Sequence, residues 1–153
     1  MWYPFLKGNA RKGYHVPTIW FDMDGTIADF YNVPDWLQAL HNEETAPYDN
    51  AKPITITNST IKVLRRMGYK IGVITWGSKN SSEAYLKKVR AAKIAWLKRH
   101  FPTIDGPIIV VHHGTPKSKF KAEGDYLIDD EKQNRLDWGS GALSPEEFAE
   151  MVA

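Results

Sequence analysis

The chain contains no cysteine, which excludes disulfides, thiolate nucleophiles, Cys-ligated zinc and iron–sulfur clusters in one step. Any catalytic metal must therefore sit on oxygen or imidazole. No apolar run approaches the roughly 18 residues that a membrane helix needs. The N-terminal stretch is broken by Pro4, Gly8, Gly13 and Pro17 and carries no apolar core of a secretory leader, so the reading is a soluble, cytoplasmic protein. A charge excess of one sign is also missing. With 20 Lys+Arg against 18 Asp+Glu the formal charge is +2, so no overall basic field points to nucleic acid and no acidic excess points to disorder. Internal repeats and low-complexity tracts are absent.

What remains is a globular composition of 153 residues, 42% hydrophobic, enough for one core and read as a single domain over 1–153. Four short apolar runs organise it, and each finishes at a polar residue. Thr18-Ile19-Trp20-Phe21 ends in Asp22, Ile71-Gly72-Val73-Ile74 in Thr75, Ile108-Ile109-Val110-Val111 in His112, and Tyr126-Leu127-Ile128 in Asp129. Their β-branched and aromatic content suits buried strands.

Helical patterns lie between these runs. One starts at Asn58 or Ser59 as N-cap, runs through Ile61, Leu64 and Met67 and stops at Gly68; a second leads from Ser81 or Ser82 to His100 with Tyr85, Val89, Ala92 and Trp96 as an apolar stripe. Ser144-Pro145-Glu146-Glu147 opens a last helix with a capping box. Strands alternating with helices predict an α/β fold with a parallel sheet, whose ligands bind at the carboxyl ends of the strands. That edge would collect Asp22, Asp24, Thr75, Lys117, Asp129 and Asp130. Residues 28–53 fit the scheme less well, because Pro34, Pro47 and Pro53 interrupt them and only 34–42 looks helical. They read as a flap or very small cap.

Asp22-Met23-Asp24-Gly25-Thr26 places two carboxylates where an apolar strand gives out, and Asp129-Asp130 supplies a second acidic pair. Buried like charges are unfavourable unless a cation or protons compensate. Mg²⁺, which takes carboxylates, waters and a substrate phosphate oxygen, is the simplest compensation; no Ca²⁺ loop pattern is present. A carboxylate can also take a phosphoryl group as an aspartyl phosphate, with Thr75 and Lys117 supplying hydrogen bonds and charge to its oxygens. Plainer readings exist for each part: a turn for Asp24-Gly25-Thr26, a cap for Thr75, a surface lysine for Lys117.

Together these residues resemble the four motifs, in order, of the haloacid dehalogenase-like (HAD) superfamily, mostly Mg²⁺-dependent phosphatases. The resemblance covers residues 19–130 and implies a three-layer, Rossmann-like fold of that type with a minimal cap. It implies Asp22 as nucleophile and metal ligand, and Asp24 as general acid and base whose backbone carbonyl touches the metal. Thr75 would bind the transferring phosphoryl group, Lys117 would neutralise it and Asp22, and Asp129 and Asp130 would hold the metal. Lys119 and Lys121 compete with Lys117, which is preferred for its place at the start of a helical pattern. Leu-Ile-Asp-Asp with a short insert is most similar to the 5′(3′)-deoxyribonucleotidase-like branch, so the substrate class is a phosphate monoester such as a nucleotide.

Two other functions stay open: a phosphatase acting on nucleic-acid ends, and a non-catalytic module that keeps the fold for binding. Residues 79–100 hold Lys79, Lys87, Lys88, Arg90, Lys93, Lys98 and Arg99 against Glu83 alone among acids; the plainer reading is a solvated helix face, the alternative a nucleic-acid surface. His112 and His113 read as a strand-end or loop pair, not ligands; His15 and His41 receive no role. Trp76, directly after Thr75, is a candidate pocket wall.

Overall fold

The computed structural model describes residues 16–153; the leaderless reading of the N-terminal segment and His15 concern residues up to 15, outside the described residues. β1 (Thr18–Phe21), β2 (Lys70–Trp76), β3 (Ile108–Val111), β4 (Tyr126–Ile128) and β5 (Ala142–Leu143) form one sheet in the order β3-β2-β1-β4-β5. Every pairing is parallel. All four positions of the central β1 are buried, as a strand covered on both faces requires. Trp20 lies in register with Gly72. A Cβ at Gly72 would come within 2.7 Å of the Trp20 ring, so the missing side chain makes room for the indole.

The helices are α1 (Trp36–His41), α2 (Ala46–Asn50), α3 (Asn58–Arg66), α4 (Glu83–His100), α5 (Lys132–Trp138) and α6 (Pro145–Val152). On one face of the sheet Ile19, Phe21, Ile71 and Val73 meet Ile61 and Leu64 of α3, Trp96 and Leu97 of α4 and Phe148 of α6. On the other, Trp20, Ile74 and Leu127 meet Trp138 of α5. The architecture is therefore α/β with helices on both faces of a parallel sheet, compatible with a Rossmann-like fold. Among the described residues no helix is long and apolar enough to cross a membrane.

Several local readings need correction. The N-cap of α3 is Thr57, neither Asn58 nor Ser59: its backbone is extended and its hydroxyl accepts from the Thr60 amide at 3.1 Å. Ser82 caps α4 and Ser144 with Glu147 forms the capping box of α6. Within 28–53 the helical segment is Trp36–His41, and α2 is a second one. Pro47 sits in the first turn of α2, where a missing N–H costs nothing. Lys117 opens only a 3₁₀ turn, Lys117–Phe120.

The insert enters and leaves the body of the protein side by side. Ala28 and Pro53 form an antiparallel bridge, the Asp29 amide donates to Lys52 O and the Ile54 amide to Ile27 O. Phe30 and Tyr48 then pack on Tyr85 and Val89 of α4. The Tyr85 hydroxyl donates to Glu44 O and the Trp96 indole to Ala51 O, fastening the insert along that helix.

Candidate active site

Because β1 and β4 are parallel neighbours, Asp22 and Asp129, each the residue after its strand, emerge at the same edge. The Asp22 amide extends the pairing by donating to Ile128 O at 2.8 Å. The chain then folds over itself: Met23 O accepts from the amides of Thr26, Ile27 and Ala28, and Gly25 takes φ +80°. A Cβ on Gly25 would lie 2.5 Å from Asp130 Oδ2. Only glycine serves there on both counts, backbone and space.

One carboxylate oxygen each from Asp22, Asp129 and Asp130 falls within a span of 4.8 Å. Lys117, buried, reaches between two of them, donating to Asp22 Oδ1 and Asp129 Oδ2 at 2.7 Å each. Lys119 is exposed, and Lys121 donates instead to the carbonyls of Trp138 and Ser140. Burial pushes the Asp22 carboxyl up, but Lys117 beside it wins and holds it below the usual carboxylate range. Burial and the charge of Asp22 raise Asp129 to about 6 and Asp130 to about 8. The neighbouring Asp22 and Asp130 carboxyls act on each other, lowering the first and raising the second. Without a cation, then, one ammonium and one proton keep three acids together.

Asp24 lies on a different lysine. Lys93, fully buried on α4, donates to Asp24 Oδ2 at 2.9 Å, Thr75 Oγ1 at 2.6 Å and Trp76 O at 2.8 Å. Burial raises the Asp24 carboxyl, and Lys93 offsets this only in part. Asp24 Oδ1 is buried and has no hydrogen-bond partner among the described residues. All six residues singled out at the strand edge, Asp22, Asp24, Thr75, Lys117, Asp129 and Asp130, thus lie in two linked clusters.

No protein-family model matches the chain, and no curated protein does.

The donor set fits a hard divalent cation. Three carboxylates converge, every donor is oxygen, and the acids are otherwise held by protons that a cation would replace. Mg²⁺ suits so few carboxylates because it keeps waters and takes a substrate oxygen. Asp129 is further fixed by the Glu131 amide, the Asn134 amide group and, at its carbonyl, Arg135. Thr26, buried, bridges Asp22 and Asp130 through its hydroxyl and accepts from the Asp130 amide.

Above these groups opens a cavity of about 560 Å³ whose floor includes Asp22, Asp24, Thr75, Lys117 and Asp130. Its walls are aromatic: Phe30, Tyr31 and Trp36 from the insert, Tyr48 from α2, and Trp76. Phe30 lies against Tyr48 at 4.8 Å and against Trp36 at 5.4 Å between ring centroids. Trp76 is held by its indole N–H on Thr115 O and stacks on His113 at 4.7 Å. His41 and His113 also face the cavity, whereas His112 pairs with Glu83 at 2.7 Å.

The sequence reading missed Lys93, Thr26 and Asn134 as site residues. Placing Lys93 on a solvated helix face is wrong, since its side chain is fully buried. The signal was available in the helical phase: Lys93 follows Val89 by four residues and precedes Trp96 by three, which puts it inside the apolar stripe. Arg90 and Arg99 are exposed and donate to Val110 O and Asp49 O. Of the basic residues counted toward a nucleic-acid surface, Lys93 is thus internal, while Arg90 and Arg99 hold backbone carbonyls from the surface.

Proposed function

We propose that this chain is a Mg²⁺-dependent phosphatase of the HAD kind that hydrolyses a nucleotide-like phosphate monoester through an aspartyl phosphate on Asp22. The observation that carries this reading is the pair of linked clusters: Asp22 ionised against Lys117 on the cavity floor, and Asp24, two residues on, set apart on its own lysine with a raised affinity for protons. Two carboxylates pushed in opposite directions divide the work of nucleophile and acid. The order of the four motifs along the chain supports the same reading.

In the first half-reaction Asp22 attacks phosphorus, the bond from phosphorus to the ester oxygen breaks, and Asp24 delivers a proton to that oxygen. In the second, Asp24 takes a proton from water as the water attacks phosphorus; the acyl phosphate bond breaks, freeing inorganic phosphate and Asp22. Lys117 has two of its three N–H groups on Asp22 and Asp129, which leaves the third for an equatorial oxygen, and the Thr75 hydroxyl serves another. Mg²⁺, held by Asp22, Asp129, Asp130 and the Asp24 carbonyl, would supply the charge that neutralises the transferring group. The insert 28–53 serves as a small cap, and its aromatic walls suit a flat leaving group such as a nucleoside.

Phosphate release with Mg²⁺ from nucleoside monophosphates, sugar phosphates and a phosphorylated oligonucleotide tests the proposal. The expected result is fastest turnover of a mononucleotide. Release only from the oligonucleotide, falling steeply with salt, would point to nucleic-acid ends instead. No release from any ester overturns the phosphatase reading and leaves a binding module.

A further inference from the structure

Lys93 is a lysine in a helical phase that the rest of α4 fills with Tyr85, Val89, Trp96 and Leu97. An ammonium wholly removed from water is unfavourable unless every proton is placed. Here all three are placed: one on Asp24 Oδ2, one on Thr75 Oγ1, one on the carbonyl of Trp76. The Tyr48 ring of the insert closes the remaining side, 5.2 Å from the nitrogen. A lysine has no acceptor and only these three donors, so none remains for a phosphate.

We propose that Lys93 is a positioning residue that selects which oxygen of Asp24 exchanges the proton and which way the Thr75 hydroxyl points. This rests on the phosphatase reading above. With Oδ2 held, the proton-carrying atom of Asp24 is Oδ1, the oxygen that is buried without a partner among the described residues. With its oxygen accepting from Lys93, Thr75 keeps its own hydrogen for an acceptor in the cavity, which it lines. One side chain of α4 thus orders groups at the ends of β1 and β2 together, while the site around Lys117 is ordered separately.

The effect is read from leaving groups. An alkyl phosphate needs Asp24 to protonate the departing oxygen; p-nitrophenyl phosphate does not. In Lys93→Met, kcat/KM for the alkyl ester falls on the order of 100-fold, while that for p-nitrophenyl phosphate falls less than about tenfold, the difference being what general acid catalysis supplies. In an Asp24→Asn background the same substitution costs the alkyl ester no more than the loss of less than about tenfold seen with p-nitrophenyl phosphate, the share that acts through Thr75. Should Lys93→Met fail to fold, Lys93→Gln, which keeps a donor and removes the charge, is measured on the same pair of esters and shows the same selectivity. Equal losses on both esters, or a fall on the alkyl ester in the Asp24→Asn background as large as that in otherwise wild-type protein, overturn the inference and leave the phosphatase reading standing. Wild-type protein inactive on both esters overturns both.

Discussion

Asp22 and Asp24 leave the end of β1 two residues apart and are held by different ammonium groups: Asp22 Oδ1 lies 2.7 Å from Lys117 and Asp24 Oδ2 2.9 Å from Lys93. Residues two apart on an extended strand would share a face; the turn closed on Met23 O by the amides of Thr26, Ile27 and Ala28 breaks that pattern. Lys117 wins against burial and keeps Asp22 ionised, whereas burial outweighs Lys93 at Asp24. Neutralising the first while keeping its shape is the most direct intervention.

Asp22→Asn leaves a side chain of the same size that cannot attack phosphorus. Phosphate release is expected to drop by about 10⁴-fold or more, the usual scale for removing a nucleophile. Cooperative thermal unfolding should persist, since Lys117 retains Asp129. Near wild-type turnover in this variant would remove Asp22 from its role.

Lys117→Met strips away the ammonium that lies between Asp22 and Asp129, both buried. Breaking such a pair from one side costs about 3–5 kcal/mol. Urea unfolding should register that loss in metal-free protein and a smaller one in saturating Mg²⁺. An unchanged midpoint would mean that the acids do not depend on this lysine.

The acids at 129 and 130 set a pH dependence with a definite sign. Their folded values, about 6 and about 8, lie above the ordinary 3.8, so the folded state holds extra protons and metal-free stability falls as pH rises through that window. A cation displaces those protons. The rise in Tm on adding Mg²⁺, followed by calorimetry, should therefore be larger at pH 8 than at pH 6. A rise that shrinks with pH contradicts the assignment.

Gly25→Ala puts a Cβ into left-handed backbone and 2.5 Å from Asp130 Oδ2. Strain of this kind costs roughly 1–3 kcal/mol. Because the carboxylate of Asp130 must move, the variant should also lose most of the Mg²⁺-dependent rise in Tm. Retention of the full rise would place the cation away from Asp130.

The parallel sheet and the edge where its acids gather were legible because apolar runs ending in Asp or Thr are short enough to be strands and too polar at their ends to continue inward. α5 and β5 were not. α5 is seven mostly polar residues that bury only Asn134 and Trp138, and β5 is two residues long, so neither shows a period. The second helix of the insert was hidden because Pro47 reads as a breaker until its place in the first turn is known. Lys93 was hidden by its charge: residue type outweighed a phase that placed it among buried neighbours.

The insert is joined to the sheet by two chain crossings that touch at Ala28 and Pro53. A segment with so narrow a stem behaves as a cassette, exchangeable without altering strand order or the acids below it. Its replacement would have to bring along the opposing surface of Tyr85, Val89 and Trp96, since those side chains pack on or bond to the segment and must change with it.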